Sequence, residues 1–98
     1  MGKVRGREKA MQLPEDLQTR YFERRKRDLQ ECLLQVTSSN FRYIEKVGHQ
    51  LKGNGITFGF PELSEIGMAL ELAAQSGTRA EILAALGELS RWVESHLS

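Results

Sequence analysis

His49 stands among three glycines in GHQLKGNG, residues 48–55, within a stretch that otherwise reads as helix. Each glycine costs roughly 0.5–1 kcal/mol there relative to alanine, so three together mark a place where bare backbone is needed. Imidazole is a good nucleophile with an ordinary pKa of about 6.5, so it is available near neutral pH. Lys52 follows one turn later, and Arg42 and Lys46 precede. Cations so placed favour a phosphoryl group carrying about two negative charges.

A helix must carry these residues, and its phase decides whether they act outward or inward. At about 100° per residue, the apolar stripe of Phe41, Ile44, Val47, Leu51 and Phe58 lies roughly 150° from His49. His49 is therefore expected in solvent, with Arg42, Glu45, Lys46, Lys52, Gly53 and Ile56 around it. Ile56 is apolar on a polar face and reads as an anchor for a partner. Gly53 leaves room for that partner to reach the ring.

The flanking segments supply three more helices. Pro14, followed by Glu15 and Asp16, starts the first, whose stripe reads Leu17, Tyr21, Leu29, Cys32, Leu33 and Val36. Arg25 falls inside this stripe, so it snorkels, or the helix bends or runs past its neighbours. Asn40 caps the second helix. Gly59 ends it and Pro61 starts the third, which Gly77 stops. Thr78 and Glu81 form a capping box for the fourth, lined by Ile82, Leu86, Leu89, Val93 and Leu97. No strand or hairpin signal is present. The fold expected is all-α: an up-down four-helix bundle over residues 13–98, after a flexible basic tail at 1–12.

Composition narrows the function. Residues 1–27 hold nine Lys or Arg against four Asp or Glu, and residues 28–98 five against nine, leaving a net charge of +1. ERRKR, residues 23–27, has no interleaved aromatic residues for base stacking, so nucleic-acid binding is not expected. No apolar run approaches the ~20 residues that span a bilayer. The single cysteine, Cys32, lies on the core stripe and fits a reducing, cytoplasmic setting. His96, in the last turn, is expected at the surface. Two histidines and one cysteine offer no metal site, and no phosphate-binding loop for a nucleotide is present.

GHQLKGNG, then FGFPEL, then ALE resembles the signature of histidine-containing phosphotransfer domains from about Tyr21 to Leu97. That signature is a helical H-x-L-K-G, a glycine turn and an L-E on the next helix. Gln50 and Asn54 depart from its commonest form, but neither is among the residues that transfer requires. The resemblance implies that His49 takes a phosphoryl group from a receiver-domain aspartyl phosphate and passes it to another receiver. His49 would attack through Nε2 with its proton on Nδ1. Lys52 would stabilise the moving charge, and Gly53 would give steric access. Arg42, Glu45, Lys46, Gln50 and Ile56 would form the docking face. The chain would be a monomeric phosphocarrier rather than an enzyme, with no cofactor of its own; Mg2+ would sit on the partner. Partners would be response-regulator receivers and a hybrid sensor histidine kinase. A helical docking or inhibitor module that transfers nothing is the alternative; it would not require the trio His49, Lys52 and Gly53.

Overall fold

The computed structural model describes residues 13–97, so the basic tail expected at 1–12 lies outside the described residues. Four helices follow one another: α1 (Glu15–Thr37), α2 (Phe41–Thr57), α3 (Pro61–Ser76) and α4 (Arg79–Leu97). No strand occurs among the described residues. The longest interface joins α2 to α3; α4 packs on both α1 and α3, and α1 meets α2 more lightly.

The helix ends follow from their residues. Pro14 precedes α1 with φ −56°, and Glu15 and Asp16 occupy the first turn, where negative charge suits the free N–H groups. Asn40 Oδ1 accepts the Tyr43 N–H at 3.4 Å at the start of α2. Gly59 (φ 87°) and Gly77 (φ 71°) adopt the left-handed conformation that closes α2 and α3. The Phe60 N–H accordingly reaches back to the Gly55 carbonyl at 2.7 Å. No side-chain bond joins Thr78 and Glu81, so the capping box expected there is not formed; Thr78 Oγ1 meets Ser76 Oγ at 3.1 Å. Arg79 secures this corner, donating to the Val36 carbonyl and, at 2.7 Å, to Ser39 Oγ.

The core runs the length of the four helices and includes Leu29, Cys32, Ile44, Leu51, Leu63, Leu70, Ile82, Leu86 and Leu89. The stripe of α1 differs from expectation. Phe22 is buried, while Leu17 and Leu33 are exposed and Tyr21 is half-buried. Phe22 belongs to an aromatic cluster with Phe60 (5.5 Å between centroids) and Trp92 (5.6 Å). His96 joins that cluster, stacked on Trp92 at 4.1 Å, so it is not the plain surface residue its position suggested.

Arg25 does not snorkel. It is buried, with its guanidinium over the Tyr21 ring at 4.7 Å and its Nη1 3.4 Å from Asn54 Oδ1. Its Nε lies 2.8 Å from Asp28 Oδ2, an ion pair whose angle is too bent for a hydrogen bond. A buried charge is tolerable only with such partners.

The α2–α3 interface is backbone against backbone. A Cβ at Gly48 would come within 2.6 Å of the Glu71 nitrogen, and one at Gly67 within 2.5 Å of the Lys52 nitrogen. Gly55 is likewise closed in, since a Cβ there would lie 2.6 Å from the Ser64 nitrogen. Gly53, in contrast, has nothing within 4 Å of the position its Cβ would take.

Opposite outcomes are expected for two alanine substitutions compared by urea denaturation. Gly67→Ala should destabilise by about 1–3 kcal/mol, since a methyl group there must push two helix backbones apart. Gly53→Ala should stabilise by roughly 0.5–1 kcal/mol, because it adds helix propensity in open space.

Candidate functional site

His49 projects from α2 with its side chain 70% exposed. Its Nδ1 lies 3.0 Å from Oε2 of Glu71, on the facing turn of α3. The other oxygen of that carboxylate, Oε1, is 3.0 Å from Lys52 Nζ. A carboxylate can only accept, so Nδ1 carries a proton, and a ring holding that single proton presents its lone pair at Nε2. Glu71 thus assigns the tautomer through a contact between two helices.

The geometry follows from the glycines. Gly48, immediately before His49, lets the backbone of α3 approach at residues 67–71. Ser64 adds a cross-helix bond from its hydroxyl to the Lys52 carbonyl at 2.6 Å. Together these set the height of Glu71 against His49 and Lys52. The Glu71 side chain is only 13% exposed, and its charge is balanced locally. The hydrogen bond from Lys52, opposed by burial and aided by the bond to His49, holds the carboxyl below its usual value of 4.5.

Of the residues expected around His49, Arg42, Lys46, Gln50, Gly53 and Ile56 are exposed, and Ile56 reaches 61%. Arg42, Glu45 and Lys46 share a shallow depression with His49 and Glu71. Glu45 is half-buried and accepts from Gln75 Nε2 at 2.9 Å, so it is held in place by α3. Lys52 is drawn sideways into the ion pair with Glu71 and is not a free cation on this face.

Glu71 was the residue that sequence reasoning left without a role. Its signal was the ALE stretch on α3, but nothing in periodicity shows that Gly67 and Glu71 face Gly48. Asn54 serves the scaffold: its Oδ1 accepts the Tyr21 hydroxyl at 2.6 Å. Cys32 is fully buried, and burial first, then Asp28 and Glu31, push its thiol up to about 12, so it is no nucleophile. Among the described residues no cluster of His, Cys, Asp and Glu could hold a metal ion, and no helix is long and apolar enough to cross a membrane. No protein family, curated protein or solved structure matches the chain.

The depressed carboxyl has a pH signature. Protonation of Glu71 is harder in the folded chain than in the unfolded one, so the stabilisation it brings is present above about pH 4.5 and is lost as pH falls through the folded value. Urea midpoints should show Glu71→Gln less stable than the parent at about pH 7, with the gap closing towards about pH 3. A gap that stays constant across this range would show that the ionised carboxylate contributes nothing.

Proposed function

We propose that the chain is a histidine phosphotransfer module that carries a phosphoryl group between receiver-domain aspartates of a two-component phosphorelay. The observation that supports this best is an exposed imidazole whose Nδ1 is held by Glu71, one helical turn from a glycine that faces open space. Nε2 attacks the phosphorus of an aspartyl phosphate; the new N–P bond forms as the acyl O–P bond breaks, and the aspartate leaves as its carboxylate. Positive charge develops on the ring during attack, and the Glu71 carboxylate is already placed to stabilise it. Lys52, one turn on, turns its ammonium towards the phosphoryl oxygens. The return step reverses these bond changes with a second receiver.

The rest of the molecule is read to match. The four helices are taken as an up-down bundle, and the chain as a cytoplasmic monomer whose partners are receivers and a hybrid sensor histidine kinase. Arg42, Lys46, Gln50 and Ile56 make the docking face, with Glu45 oriented by Gln75. Mg2+ and most stabilisation of the transferred charge come from the receiver. The chain is a carrier and not an autonomous enzyme.

Incubation with phosphorylated receivers should place an acid-labile, base-stable label on the chain. His49→Gln should fold with stability changed by no more than about 0.5 kcal/mol and take up no label. A labelled His49→Gln protein would move the acceptor elsewhere. Docking of receivers without any label on the parent chain would leave only an interaction module.

Access is tested at Gly53. Side chains on a helix lean towards its N-terminus, so glutamine at 53 would lie over the turn bearing His49. Gly53→Gln should raise the melting temperature yet slow transfer at least about tenfold, ~1.4 kcal/mol of lost transition-state stabilisation. An unchanged transfer rate in this more stable protein would show that open backbone at 53 is not required.

A further inference from the structure

We infer that Glu71 sets the lifetime of a phosphoryl group on His49 by keeping a proton on Nδ1 of the phosphorylated ring. The biological sense of this rests on the phosphotransfer reading above; its chemistry does not. When a phosphoryl group leaves Nε2, the bonding electrons return to the ring. With Nδ1 protonated, the ring departs as neutral imidazole. Without that proton it must depart as an imidazolate anion, a far poorer leaving group. The lability of the N–P bond near neutral pH therefore follows the occupancy of the proton on Nδ1.

An ionised carboxylate hydrogen-bonded to that nitrogen favours the protonated, positively charged ring. Among the described residues, Glu71 is the group hydrogen-bonded to His49. The other charges facing the ring come from its own helix, Arg42, Glu45, Lys46 and Lys52, and Glu45 is directed to Gln75. The three cations oppose ring protonation from a distance, and Lys52 also offsets part of the Glu71 charge. Direct contact at 3.0 Å outweighs them, because a charge-assisted bond acts over a shorter path through a partly desolvated carboxylate.

In hydrolysis a water oxygen attacks phosphorus, the P–O bond forms as P–Nε2 breaks, and the electron pair returns to Nε2. The water proton passes to solvent with the released phosphate, while Nδ1 keeps its own proton throughout. The same neutral leaving group serves when the attacking oxygen belongs to an aspartate. Glu71 thus keeps the phosphoryl group ready for transfer and shortens its life in water by the same means.

The full chain can be phosphorylated with phosphoramidate, a small donor that labels accessible imidazoles without a protein partner. The site is assigned with His49→Gln, and decay is followed by phosphorus NMR over about pH 5–9 for the parent and Glu71→Gln. Glutamine keeps the shape and an acceptor oxygen but removes the charge. The half-life near pH 7 should lengthen at least about fivefold, and the midpoint of the pH–rate profile should move about one unit lower. A merely structural role for Glu71 would leave that midpoint unmoved. Equal half-lives with coincident profiles would overturn the inference, and so would failure of phosphoramidate to label His49, since an accessible Nε2 is its premise. A lengthened lifetime in a chain that exchanges phosphate with no receiver would uphold the inference and sink the phosphotransfer reading.

Discussion

The backbones of α2 and α3 meet directly at their crossing, and the site depends on it. Gly48, Gly55 and Gly67 lie where a single added carbon would strike main-chain atoms of the other helix at 2.5–2.6 Å. Helices with ordinary side chains at their crossing stand 8–10 Å apart. Glycines remove that spacer and let two rows of backbone meet, at the cost of helix propensity. The separation matters because a glutamate has limited reach. Only with α3 this near does Glu71 touch both His49 Nδ1 and Lys52 Nζ at 3.0 Å.

That one carboxylate organises two cationic or potentially cationic groups. Glu71 is shielded by the crossing, with 13% of its side chain exposed, whereas His49 is 70% exposed. The more shielded group is therefore the one the fold fixes in place, and the imidazole is the one open to solvent. Lys52 offsets the negative charge that would otherwise be expensive to hold at a helix interface. The result is a locally balanced triad in which one carboxylate lies against both the imidazole Nδ1 and the ammonium of Lys52. On the phosphotransfer reading proposed above, the counter-charge of the ring is in place before attack and only Lys52 has to turn.

The lower half of α2 is anchored by different means. Asn54 receives the Tyr21 hydroxyl at 2.6 Å and lies 3.4 Å from the Arg25 guanidinium, tying α2 to α1 just beyond Gly53. Phe22, Phe60, Trp92 and His96 then close that end of the core. With α2 held on both of its packed sides, the strip bearing His49, Gly53 and Ile56 is left uncovered. Ile56, at 61% exposure, is an apolar residue whose burial no part of the described chain supplies.

Local signals in the sequence were enough for the four helices, their glycine and proline boundaries, and the outward phase of His49. Each depends on neighbours a few residues apart: a 3.6-residue period, a fixed proline φ, a glycine free to take positive φ. The same signals misplaced part of α1, because Leu17 and Tyr21 satisfy the period as well as Phe22 does. Tertiary partners separate them: Phe22 packs into the core against Phe60 and Trp92, while Tyr21 is half-buried with its hydroxyl on Asn54. Three glycines around His49 were legible as a demand for bare backbone, but the demand has two sources that look alike in sequence. Gly53 faces open space, while Gly48 and Gly55 face another helix, and only the packed structure separates them. Glu71, twenty-two residues from His49, became part of the site for the same reason: hydrogen bonds across a helix crossing depend on interhelical distance and rotation, which no local pattern encodes.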